Sequence, residues 1–129
     1  MARASSAPAT PPERQRLGRD AEERAAQYLQ AAGLLLLHRN YRCRMGELDL
    51  VAREAGTLVI AEVRLRSSSR FGGAAASITH AKRRRIVLAT RHLLARYPSL
   101  QKWPVRFDAL LVGAPGGPIE WLRGAFDAC

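Results

Sequence analysis

Residues Gly46 to Arg64 read GELDLVAREAGTLVIAEVR. Apolar β-formers Leu48, Leu50 and Val51, then Leu58, Val59, Ile60 and Val63, flank Glu54-Ala55-Gly56-Thr57, the composition of two strands joined by a tight turn. With the turn centred on Ala55-Gly56, facing residues have numbers that sum to 111. Asp49 then lies opposite Glu62, and Glu47 opposite Arg64. Because strand side chains alternate, Glu47, Asp49, Val51, Leu58, Ile60, Glu62 and Arg64 are expected on one side. Leu48, Leu50, Ala52, Val59, Ala61, Val63 and Leu65 make the other, which is wholly apolar and is expected to be core.

Two facing carboxylates would have Cβ atoms about 5 Å apart, a like-charge arrangement that costs stability unless something offsets it. One offset is a divalent cation: converging Asp and Glu oxygens, with positions left for water and phosphate, are how proteins hold Mg²⁺ or Mn²⁺. The other reading is a Glu47–Arg64 surface ion pair beside solvated carboxylates. Residue pattern alone leaves both open.

The chain has 129 residues, 21 of them basic and 11 acidic, for a formal net charge of +10. That length suits one domain with a single core. Residues 1–13, rich in Ala, Ser and Pro, read as a disordered tail, leaving 14–129 as the domain. Cys43 and Cys129 form no framework or metal motif, which suits a reducing cytoplasm. No signal sequence or membrane-length apolar run is evident. The excess of positive charge favours a polyanionic partner, and nucleic acid over a membrane surface, since the basic residues are not gathered on one amphipathic helix.

Apolar spacing predicts a helix from about Glu13 to Ala32, with Leu17, Ala21, Ala25, Tyr28, Leu29 and Ala32 on one stripe and Glu22 at its edge. Leu34 to Tyr41 reads as a first strand. Arg39, Arg42 and Arg44 then form a basic lead into the acidic hairpin, which suits a phosphodiester but is also a common solvated loop. Arg66 to Gly73, including Arg70, is a flexible connection that either wraps a nucleic-acid backbone or merely links elements. A second helix, capped by Ser77 or Thr79, runs to Tyr97 before Pro98. It opens with Lys82-Arg83-Arg84-Arg85 and contains no acid, a pattern for phosphate contact. Val105–Val112 is a further strand; Asp108 on it is either a fourth acid near the site or the partner of Arg106. A last short strand follows Pro115-Gly116-Gly117-Pro118.

Asp49, twelve residues, then Glu62-Val63-Arg64 resembles the PD-(D/E)XK signature of restriction-endonuclease-like nucleases, with Leu48 for proline and Arg64 for lysine. Gly18-Arg19-Asp20-Ala21-Glu22, Asn40-Tyr41-Arg42, Gly46-Glu47-Leu48-Asp49-Leu50, Phe71-Gly72, Ile78-Thr79 with Lys82, and Arg106-Phe107-Asp108 accompany it. In that order they resemble the YraN family, small bacterial proteins that look like archaeal Holliday junction resolvases.

The resemblance implies an α/β fold, a restriction-endonuclease-like α-β-β-β-α-β-β sandwich with a central mixed sheet flanked by helices. It implies a metal-dependent nuclease acting on DNA more than RNA, in repair or recombination. Asp49, Glu62 and Glu22 would hold Mg²⁺ or Mn²⁺ with help from the Val63 carbonyl, Arg64 would take the lysine's place, and Glu47, Arg106 and Asp108 would support them. Arg42, Arg44, Arg70, Lys82, Arg83, Arg84 and Arg85 would meet the nucleic acid. A resolvase would need two active sites, hence a homodimer. Arginine remains protonated and cannot act as a general base. A non-catalytic nucleic-acid-binding protein with a degenerate site is therefore the alternative, and Lys82 is a second source of an ammonium.

Overall fold

A computed structural model describes residues 10–66, 78–113 and 116–128. The element order is α1 (Pro11–Ala31), β1 (Leu35–Cys43), β2 (Gly46–Glu54), β3 (Thr57–Leu65), α2 (His80–Arg96), a short 3-10 turn (Pro98–Lys102), β4 (Val105–Val112) and β5 (Ile119–Phe126). The expected α-β-β-β-α-β-β succession is present. The five strands lie in chain order in one sheet, with β3–β4 parallel and the other pairs antiparallel. The parallel step follows from the crossover through α2, since parallel neighbours need a long connection.

Local chemistry sets the helix boundaries. Thr10 and Glu13 form a reciprocal capping box, with Pro11 and Pro12 in the first turn. Helix α1 therefore starts ahead of the expected Glu13, and Pro11 to Glu13 are helical instead of tail; residues 1–9 lie outside the described residues. Thr79 caps α2 by accepting from Lys82 N at 3.1 Å. The alternative cap Ser77, the Arg70 loop and Pro115 are also outside the described residues.

The hairpin register agrees with the expectation: Glu54↔Thr57, Arg53↔Leu58, Ala52↔Val59, Val51↔Ile60 and Leu50↔Ala61. The assignment of one core face does not hold. Leu50, Ala52, Val59, Ala61, Leu110 and Val112 pack beneath α1. Val51, Leu58, Ile60, Phe107 and Ala109 are equally buried, beneath Ile86, Ala89 and Leu93 of α2. Helices on both faces make both hairpin sides core, so the side bearing Asp49 and Glu62 is apolar for most of its length.

Leu48 also departs from expectation, since it joins the α2 face while Leu50 joins the α1 face. Residues two apart on opposite faces mean that alternation breaks at Asp49. Leu65, at the strand end, is 49% exposed. On α1 the buried stripe is Ala21, Ala25, Ala26 and Leu29, whereas Leu17 and Tyr28 are exposed. Alanines let the helix sit close to the sheet. Tyr28 packs edge-on against Trp121, with ring centroids 6.2 Å apart.

Candidate functional site

The break at Asp49 builds the site. The β1–β2 register sets Asn40 opposite Asp49, and Asn40 has a left-handed backbone (φ 52°), which asparagine tolerates better than most residues. The β2–β3 ladder ends at Leu50↔Ala61. Beyond it, the Asp49 side chain substitutes for a backbone acceptor: Val63 N donates to Asp49 Oδ2 at 2.9 Å. An irregularity of this kind re-aims a side chain, here turning a carboxylate in toward β3.

Glu62, on the α2 face by alternation with Ile60, is 5% exposed. Burial, then the neighbouring Asp49, push its carboxyl up from the usual range to about 8, although Lys82 opposes the shift. Burial likewise raises Asp49. Each carboxyl influences the titration of the other, since two acids this close cannot both ionise freely without an offset. At neutral pH the pair therefore holds less negative charge than two free carboxylates, as expected where nothing else fully neutralises them.

Two cations approach the pair. Lys82 Nζ stands 3.3 Å from Glu62 Oε2, and Arg64 Nη1 stands 3.8 Å from the same oxygen. The shorter contact comes from α2, whose first turn is fixed by the Thr79 cap and by the Arg83 Nε bond to Ile78 O at 2.9 Å. Lys82 is thus beside the acids, a placement that its position in a run of four cations does not disclose.

Glu22 reaches the same region from α1. Burial and Asp49 raise its carboxyl above the usual range. Asn40, with its amide nitrogen toward the acids, donates to Glu22 Oε1 and Glu47 Oε2 at 3.0 Å each. Asn40 is the site residue that the sequence reading missed; an asparagine in a strand signals little until its left-handed backbone is visible. Glu47 is also met by Arg42 Nε at 3.4 Å.

The remaining expected residues divide. Gly46 (φ 154°) lets α2 come close, since a Cβ there would meet Arg85 Cβ at 3.3 Å. Arg85 consequently borders the turn that carries Arg44, near Arg42. Arg83 and Arg84 lie on the other flank of α2. With His80, Arg91 and Phe126 they line a cavity of about 550 Å³.

Arg106 and Asp108 do not join the acids. Asp108 follows Phe107 on the opposite sheet face and is bound by Arg106 Nε and Nη2, Trp121 Nε1 and Gly124 N, each at 2.9 Å. Arg106 also reaches Glu54 Oε1 at 2.8 Å. Asp108 is therefore the partner of Arg106, one of its two expected readings, and both belong to a network with Glu54, Trp121 and Gly124 instead of supporting the acid pair by contact.

Among the described residues, no three His, Cys, Asp or Glu side chains converge as a ready-made metal centre. Two carboxyls do meet, and once deprotonated their oxygens suit a hard divalent ion. Glu22 faces them from a position held by Asn40. No helix among the described residues is long and apolar enough to cross a membrane.

The family described as "Uncharacterised protein family UPF0102" matches residues 21–112. A UPF0102 protein of Nitrosomonas europaea is 55% identical over 111 residues, 85% of this chain and 92% of that protein. One from Paracidovorax citrulli is 56% identical over 115 residues, 86% and 82% of the two chains. Another, from Legionella pneumophila, is 46% identical over 114 residues, 88% and 97%.

Proposed function

The chain belongs to the UPF0102 family, the YraN family that its motifs resemble, and we propose that it is a nucleic-acid-binding protein whose Asp49–Glu62 pair is a metal-dependent phosphodiester-hydrolysing site of the restriction-endonuclease-like kind. The observation that supports this most is the buried Glu62 carboxyl, neighbour to the part-buried Asp49 and approached by Lys82 and Arg64. A fold has no structural need for a buried acid set against a second, part-buried one, whereas pKa values displaced by burial and a specific partner are typical of functional sites.

Asp49 and Glu62 would hold Mg²⁺ or Mn²⁺, with the Val63 carbonyl and Glu22, directly or through water, completing the surroundings. When bound, the ion supplies neutralisation of the phosphodiester and a lowered pKa for the attacking water. The chain's residues do the rest. Deprotonation of the raised carboxyls makes both carboxylates available. Lys82, the nearer cation and a compact ammonium, stabilises charge developing on phosphate; Arg64 adds a permanently charged donor. Arg42, Arg44 and Arg85 bind the backbone on one flank, and Arg83 and Arg84 on the other. DNA is preferred, the location is cytoplasmic, and resolution of branched substrates would use a homodimer.

A second reading, a binding module without catalysis, draws on Arg64 in the lysine position and on the absence, among the described residues, of a three-ligand centre. Cleavage of labelled branched, duplex and single-stranded DNA and RNA in Mn²⁺ decides between them. The nuclease reading expects hydrolysis that Glu62→Gln abolishes, Lys82→Ala reduces and Arg64→Lys preserves or increases. Binding without cleavage by wild type and Arg64→Lys alike would leave the binding module. Absence of binding would remove both.

A further inference from the structure

We infer that one strand of the nucleic acid crosses α1 at Gly18, which acts as a saddle between two halves of a substrate track; this rests on the nucleic-acid reading above. Gly18 lies well inside the helix Pro11–Ala31. Glycine is among the least favourable residues for a helix interior. Packing does not call for it, because nothing lies within 4 Å of a Cβ built at that position. Its backbone is helical and needs no left-handed freedom. Local structure therefore gives no reason for glycine here.

The surface around it does. Two open depressions meet at Gly18 and Glu22. One, of about 270 Å³, continues past Ala21 to Val63, Arg64 and Leu65. The other, of about 350 Å³, continues past Arg19 and Asn40 to Arg42 and Glu47. Both open widely to solvent, and any side chain at position 18 would stand as a ridge between them. Glycine keeps the helix surface low, so the depressions form one track with Arg64 at one end and Arg19 and Arg42 at the other.

The charges along the track specify its occupant. Guanidinium groups at both ends suit backbone phosphates, while Glu22 in the middle and Glu47 beside Arg42 repel them. A phosphodiester strand is accommodated once a cation offsets these acids. Occupancy of the track is thus coupled to divalent metal, and an acidic peptide, whose carboxylates do not recur at the regular spacing of a phosphodiester backbone, is a poorer match.

Gly18→Ala and Gly18→Gln separate this role from a structural one. Both restore a better helix former, so both should melt at or above the wild-type temperature. Their affinity for fluorescein-labelled oligothymidylate and for a labelled branched duplex, measured in Mn²⁺, should fall by about fivefold or more, the glutamine further than the alanine. The loss should shrink when Mn²⁺ is removed. Unchanged affinity in both variants, with wild type binding normally, overturns the saddle and leaves the nucleic-acid reading standing. A lowered melting temperature for Gly18→Ala also overturns it, since glycine would then be structural. Failure of the wild-type protein to bind either probe rejects the nucleic-acid reading itself, and the saddle with it.

Discussion

Asp108 and Glu62 are buried acids one rung apart in the same sheet, since Asp108 pairs with Ala61 and Glu62 with Ala109. They point to opposite faces and are treated in opposite ways. Asp108, with no exposed surface, receives four hydrogen bonds from two nitrogens of Arg106, the indole of Trp121 and the backbone of Gly124. Glu54 closes this network through Arg106 and Arg123. Glu62 instead faces another carboxyl, with Lys82 at 3.3 Å and Arg64 at 3.8 Å. Burial of an acid is therefore no sign of function by itself. What separates the two is whether the fold supplies enough donors, and at Glu62 it stops short.

The largest effect should come from breaking the satisfied member. Asp108→Ala takes away the buried carboxylate that Arg106, Trp121 Nε1 and Gly124 N share. Since these partners are at most part-buried and Arg106 keeps Glu54, the cost falls at the low end of the roughly 3–5 kcal/mol for breaking a buried charge network. Urea denaturation should record that loss. Asp49→Asn, which keeps an oxygen to accept from Val63 N while removing a negative charge, should leave stability unchanged or higher without metal. Equal losses in both variants would erase the contrast.

Next in size is the pH dependence. The Glu62 carboxyl titrates near 4.5 when unconstrained and at about 8 in the folded chain. Folding therefore takes up a proton between those values. This contribution to stability is whole below about pH 4.5, declines as pH rises toward 8, and is flat above. At about 1.4 kcal/mol per unit, reduced for a pair that water reaches at the open strand end, the decline amounts to roughly 2–4 kcal/mol. Denaturation midpoints at pH 5 and pH 8 should differ in wild type and converge in Glu62→Gln. Added Mn²⁺ should restore stability mainly at the higher pH, where the proton has left. Asp108→Ala should lower the whole curve without removing its slope.

A smaller effect discriminates between the two cations. Lys82 opposes the upward displacement of Glu62, so Lys82→Ala should move the midpoint of that decline to higher pH. A half-exposed ion pair of this kind is worth about 1 kcal/mol or less. Arg64→Ala should move it less, because its contact is longer. The reverse order would return the principal role to Arg64.

Much of this site was legible in the chain. The two-residue turn fixed the hairpin register, and the register placed Asp49 beside Glu62; the Thr79 cap set the start of α2 and its basic tetrad. What eluded the sequence depends on tertiary contacts. Val51, Leu58 and Ile60 share a side with acids, and only the covering helix α2 makes that side core. Leu48 changes face next to the point where Asn40, opposite Asp49, takes a left-handed backbone that propensity does not announce. Asp108 sits in a motif with Arg106, but its neutralisation also needs Trp121 and Gly124 from β5, which no spacing connects. Lys82 looks like one of four equivalent cations until helix phase aims it at Glu62.

The smallest effect tests whether the two ends of the hairpin are independent. Ala55 adopts a left-handed backbone (φ 52°) in the turn opposite the open end. For a residue with a Cβ that conformation is strained, and glycine relieves it at the cost of greater freedom in the unfolded chain. The two terms oppose each other, so Ala55→Gly should stabilise by only about 0.5 kcal/mol. Its pH profile is the sharper readout. The turn adjoins the Glu54–Arg106 end of the sheet, while Asp49 and Glu62 lie beyond the last ladder pair at Leu50 and Ala61. A gain confined to the turn adds the same increment at pH 5 and pH 8 and leaves Mn²⁺ stabilisation unchanged. An increment that depends on pH would mean that turn geometry is transmitted along both strands to the acid pair, and that satisfied and unsatisfied ends are parts of one strained unit.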